Sequence, residues 1–139
     1  MHLLDTDTLT HLHAGHPKVV ESLRVLDDPD VGTTIVTKIE LIRGRIDFVL
    51  KVATRPELLR AQHLLARTEE LLEQIIVVPI DDAAAAKFDQ LRASSRLRKI
   101  GRADLLIASI ALANRATVVT RNVRHFSAIA TLMVVNWVD

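Results

Sequence analysis

The chain has 139 residues, of which 49% are hydrophobic, 25% charged and only 3% aromatic. That suits one ordered domain with a core of Leu, Ile, Val and Ala, and it disfavours both a disordered linker and a base-stacking platform. Eighteen basic residues face seventeen acidic ones, so net charge announces no nucleic-acid binder and only a local patch can; the lack of cysteine excludes disulfides, thiolate catalysis and sulfur-based zinc sites.

In chain order, residues 2–5 ("HLLD") read as a short strand ended by "DTDT". This N-terminus has an acid at position 5 and no basic region before an apolar run, so it is not read as a signal peptide. No stretch reaches the ~20 apolar residues of a membrane span. No membrane association and a cytoplasmic location are expected. Residues 17–27 predict a helix with Pro17 in its first turn. "TTIVT" at 33–37 predicts the second strand, and "KIELIRG" two helical turns with a bend at Gly44. From 46 to 74 the pattern is helical and interrupted at Pro56, which predicts a kinked helical arm pair with more leucine than one face needs. Residues 75–80 give a third strand and 81–93 a helix with an acidic N-cap. A basic connector leads to the apolar helix 103–113, the strand "TVVT", a turn with a short helix, and a last strand within 132–137. Alternating strands and helices predict an α/β fold: a central, mostly parallel sheet flanked by helices, in a single domain over 1–139.

Such sheets carry working side chains beyond the carboxyl ends of their strands. Asp5 and Asp7 follow the first strand, and Glu40 lies a turn past the second. Asp104 opens the apolar helix, and Asn122 follows "VVT". Taken singly, each has an ordinary reading as a cap, a first-turn acid, a solvated residue or a turn. In an extended segment Asp5 and Asp7 point the same way, and neighbouring strands would bring the group together. Crowded carboxylates need a proton or a shared cation, and an oxygen-only set favours Mg²⁺ or Mn²⁺ over zinc. Arg96, Arg98, Lys99 and Arg102 precede Asp104, and Arg121 and Arg124 flank Asn122, so a polyanionic substrate would meet cations at the rim. The Thr6 and Thr120 hydroxyls sit near the acids. The six histidines form no ligand pattern and read as surface or packing residues. Four glycines make no phosphate loop.

"LLDTDTL", "TTIVTKIELIRG", "IGRADLLIASIALANRATVVTRNVRHF" and "LMVVNW", in this order and spacing, resemble the PIN-domain ribonucleases, and among them the VapC toxins of prokaryotic toxin–antitoxin pairs. The resemblance covers nearly the whole chain and implies a PIN-like fold. It implies that Asp5, Glu40 and Asp104 bind Mg²⁺ or Mn²⁺, with Asn122 where the family carries an acid or asparagine. Asp7 replaces a usual asparagine and is a possible supporting ligand. Arg102 replaces a common second acid, which leaves the number of metals open.

The implied activity is metal-dependent endoribonuclease cleavage leaving 5′-phosphate and 3′-hydroxyl ends. Asn122 and Thr120 would orient water or phosphate, and Arg98, Lys99, Arg102 and Arg121 would position the RNA backbone. The implied partners are a structured RNA such as tRNA or rRNA, a VapB-like antitoxin docked on the leucine-rich arm, and a second copy of the chain. Three alternatives stay open: a catalytically silent PIN-fold module that binds RNA or protein, a metal-dependent nuclease acting on DNA, and a purely structural partner protein.

Overall fold

A computed structural model describes residues 1–139. Its five strands are β1 (His2–Leu4), β2 (Val31–Thr34), β3 (Ile76–Val78), β4 (Thr117–Val119) and β5 (Met133–Val135). They form one sheet in the order β3-β2-β1-β4-β5, with every pairing parallel. Seven helices connect them: α1 (Thr6–His13), α2 (Pro17–Val25), α3 (Ile35–Lys51), α4 (Arg55–Gln74), α5 (Asp82–Ala93), α6 (Arg102–Ala113) and α7 (Val123–Phe126).

Successive side chains of a strand point to opposite faces of the sheet, and the two central strands use both faces. Leu3 and Val118 pair in register and enter one buried cluster with α5, α6 and Phe126. Leu4 and Val119, the next pair, enter the opposite cluster with Leu9 of α1, Leu41 of α3 and Leu72 of α4. The central strands can therefore be three residues long: Leu3, Leu4, Val118 and Val119 are each covered from one side or the other. The chain proceeds outward from β1 through β2 to β3, then crosses to β4 and β5. The switch point falls between β1 and β4, at whose carboxyl ends a doubly wound sheet opens a crevice.

Several elements depart from the sequence expectation. The strand expected at 33–37 occupies Val31–Thr34, and Ile35, Val36 and Thr37 are helical despite their β-branching. Thr34 explains this, because its hydroxyl caps α3 by accepting the Thr37 N–H at 3.2 Å, and burial of Val36 and Thr37 outweighs propensity. Gly44 makes no bend, and α3 runs through it to Lys51. The interruption in the 46–74 arm comes at 52–54, where Thr54 caps α4; Pro56 lies in the first turn of α4, where its missing N–H costs nothing. Residues 6–13, following the expected strand, are a full helix, so Asp5 and Asp7 do not share an extended segment. The helix expected at 17–27 stops at Val25.

Gly32 carries the closest constraint in the sheet. A Cβ there would sit inside van der Waals contact of the Ile76 carbonyl, its partner across β2 and β3. Gly32→Ala should lose about 2 kcal/mol in urea unfolding by prising β3 from β2. Gly44→Ala, whose Cβ meets open space in a helix interior, should gain about 0.5–1 kcal/mol in the same measurement.

Candidate active site

The β1–β4 pairing delivers the first acid. Asp5 leaves the sheet with its backbone N–H on the Val119 carbonyl at 3.0 Å, then turns to begin α1. As the N-cap of that helix, its Oδ1 accepts the Thr8 N–H at 2.9 Å. Asn122 follows β4 by three residues. Its N–H donates to Thr120 Oγ1 at 3.0 Å, and Thr120 is fully buried, so its hydroxyl fixes the turn.

Asp104 sits in the first turn of α6, whose N-cap Gly101 has no side chain to offer. A carboxylate there meets the positive end of the helix dipole. Its Oδ2 lies 3.1 Å from His125 Nδ1, and the Asn122 amide lies 2.9 Å from the same nitrogen. Glu40 is exposed on the second turn of α3, and its Oε1 accepts the Thr6 hydroxyl at 2.7 Å. The three acids thus share one arrangement. Each has one oxygen engaged by the protein (Thr8 N–H for Asp5, Thr6 Oγ1 for Glu40, His125 for Asp104), and the other oxygen is without a protein hydrogen bond.

A polar crevice of about 440 Å³ lies beside them, lined by Asp5, Asp7, Arg121, Asn122 and Asp139. Arg121 is anchored within it by Asp139, at 3.2 and 3.3 Å, and reaches Asp7 at 3.9 Å. Arg98 and Lys99 are exposed on the connector before α6. Arg102 does not line this crevice; its guanidinium stacks over the Phe88 ring of α5 at 5.1 Å.

Two participants had escaped the sequence reading. His125, set aside there with the other histidines, lies three residues after Asn122 on the same turn, and that spacing was its only signal. Asp139 reaches the crevice because the chain after β5 returns beside Arg121, a placement with no local signature.

Burial raises the Asp104 carboxyl above its ordinary range; the charge and hydrogen bond of His125 oppose the rise, and the charge of Asp5 adds to it. A half-buried acid pressed by a neighbouring acid is what a shared cation relieves. The donor set is carboxylate oxygen with one amide, which in kind fits a hard divalent ion such as Mg²⁺ or Mn²⁺. As they stand, no three acid or imidazole groups close on a single point.

A PIN domain family model matches residues 2–132. Among solved structures, VapBC-1 of nontypeable Haemophilus influenzae is similar at a TM-score of 0.81 and 23% identity, covering 99% of this chain and 98% of that one. The DNA-bound VapBC of Salmonella typhimurium is similar at 0.78 and 27%, covering 98% and 97%. FitAcB of Neisseria gonorrhoeae is similar at 0.74 and 28%, with the same coverage. No curated protein matches the chain by sequence.

The raised Asp104 carboxyl sets a direction for stability. An acid whose folded pKa exceeds its unfolded one stabilises the fold when protonated, and that contribution is lost as pH rises through the folded pKa. At pH 7 without divalent cation, Asp104→Asn should therefore raise Tm. About a third of the side chain is exposed, which screens the repulsion and limits the gain to about 2 °C. The gain should shrink as thermal scans are taken down toward pH 4.

Proposed function

The chain belongs to the PIN-domain family, and on that premise we propose that it is a metal-dependent endoribonuclease of the VapC toxin type, held in check by a VapB-like antitoxin. The observation that carries the reading is the placement of Asp5 just past the carboxyl end of β1 and of half-buried Asp104, whose carboxyl burial raises, in the first turn of α6, with a polar crevice alongside. Asp5, Glu40 and Asp104 would hold Mg²⁺ or Mn²⁺ through their unengaged oxygens. When bound, the cation supplies the positive charge that activates water and offsets charge developing on the scissile phosphate.

The protein groups do the positioning. Asn122, pinned by the buried Thr120, presents its amide at the crevice to orient phosphate or water. Arg121, braced by Asp139, offers a fixed guanidinium to the RNA backbone. Arg98 and Lys99, exposed and unpaired on the connector, extend the contact to flanking phosphates, and Arg102 contributes charge from its perch on Phe88. Asp7 acts as a counter-charge to Arg121 in the crevice. Attack by water rather than by the ribose 2′-hydroxyl leaves a 5′-phosphate and a 3′-hydroxyl. Selectivity among RNAs rests on folded shape and unstacked bases, because few rings are available for stacking.

Two apolar surfaces support the proposed partners. Along α3 a groove of about 380 Å³ is lined by Ile35, Lys38, Ile39, Ile42, Arg43 and Ile46, with Ile39 51% exposed. This is the face we assign to a second copy of the chain. Leu58 and Leu59, exposed near the start of α4, are assigned to the antitoxin arm.

Antitoxin-free protein should cut total RNA at discrete sites with Mg²⁺ or Mn²⁺, and EDTA should stop it. Asp104→Asn should reduce cleavage about 100-fold or more, and mapped ends should carry 5′-phosphates. Cuts that persist in EDTA would contradict the reading. Ile39→Lys with Ile46→Glu should convert a dimer to a monomer in light-scattering measurements of mass.

A further inference from the structure

His125 bridges the polar edge of three segments whose apolar side chains share one core, the connector through Leu97 and Ile100, α6 through Leu105 and α7 through Phe126. Its Nδ1 faces Asp104 Oδ2 at the start of α6, at 3.1 Å, with the Asn122 amide 2.9 Å away, and its Nε2 lies 3.4 Å from the Lys99 carbonyl. The ring is set edge-on against Phe126, a fully buried core side chain, with centroids 6.2 Å apart. An imidazole set against the core on one side and paired at Nδ1 with Asp104 has a restricted orientation.

A carboxylate only accepts hydrogen bonds, so in the pair with Asp104 the Nδ1–H is the donor, and the Asn122 amide beside that nitrogen then turns its oxygen, not its N–H, toward the ring. The bond takes Oδ2 and leaves Oδ1 without a protein partner, as the Thr8 N–H does for the two oxygens of Asp5. For Asp5 the holder is backbone and survives any substitution at position 8 except proline. For Asp104 it is a single side chain, contributed from another element.

We propose that His125 is a positioning residue that fixes the Asp104 carboxylate through Nδ1 and so sets the free oxygen toward the cation. The inference rests on the proposed metal-binding role of Asp104. Groups that orient a ligand in this way account for about 10–100-fold in metal affinity.

Two substitutions separate this from packing. His125→Asn places an N–H near the position of Nδ1, whereas His125→Gln reaches only as far as Nε2 and the Lys99 carbonyl. Mn²⁺ alone is titrated calorimetrically into wild type, both variants and Asp104→Asn, with Tm measured for each. His125→Asn should bind Mn²⁺ within about threefold of wild type, and His125→Gln about 10–100-fold more weakly, at similar Tm. Equal affinity in the two variants, whether both strong or both weak, would overturn the role assigned to Nδ1. Wild type that binds no Mn²⁺, or binds it as Asp104→Asn does, would overturn the metal reading itself, and the His125 role would fall with it.

Discussion

The parallel pairing of β1 with β4 is the constraint from which the site follows. It is three residues long, and its last hydrogen bond runs from the Asp5 N–H to the Val119 carbonyl. Beyond that bond both chains must leave the sheet, one into α1 and the other into the Thr120–Asn122 turn. Asp5 and Asn122 are therefore neighbours whatever their own preferences. Their position is secured by the alternation of Leu3, Leu4, Val118 and Val119 between the two cores, since a shift of one residue would turn each apolar side chain to the wrong face.

On this frame Asp104 is placed against its own electrostatic interest. Asp104 is half-buried and feels Asp5, and it is kept there by the dipole of α6 and the imidazole of His125. Each acid is tied by one oxygen, which limits its motion while leaving the second oxygen for an external charge. Strain of this kind reduces stability in the empty protein and is typical of sites that bind a cation and an anionic substrate together. Around it the guanidinium of Arg121 is itself paired with Asp139, which limits the ordering left for it to lose on contact with an anion.

How much of this could be read from the residues depends on what determines each element. The helix from Arg102 to Ala113 and the strand Thr117–Val119 are apolar almost throughout, and burial on all sides leaves such runs few other conformations. The position of Asp5 just beyond β1 was legible because the apolar run stops at Leu4 and a capping side chain follows it. By contrast, α1 is built from threonine and histidine, poor helix formers, and exists because Asp5 caps it and Leu9 is buried beneath it. The shift of β2 into α3 likewise depends on the Thr34 cap and not on the β-branched run that suggested a strand. The stacking of Arg102 on Phe88, the bracing of Arg121 by Asp139 and the contact of His125 with Asp104 all join distant segments. No local pattern encodes them.

The central claim is that Asp5 and Asp104 share a divalent cation. A crystal of the protein soaked in Mn²⁺ and measured for anomalous scattering addresses it directly. One strong peak is expected at the carboxyl ends of β1 and β4, within coordination distance of a carboxylate oxygen of both residues. A soaked crystal with no peak there, or with Mn²⁺ bound only elsewhere on the surface, would contradict it.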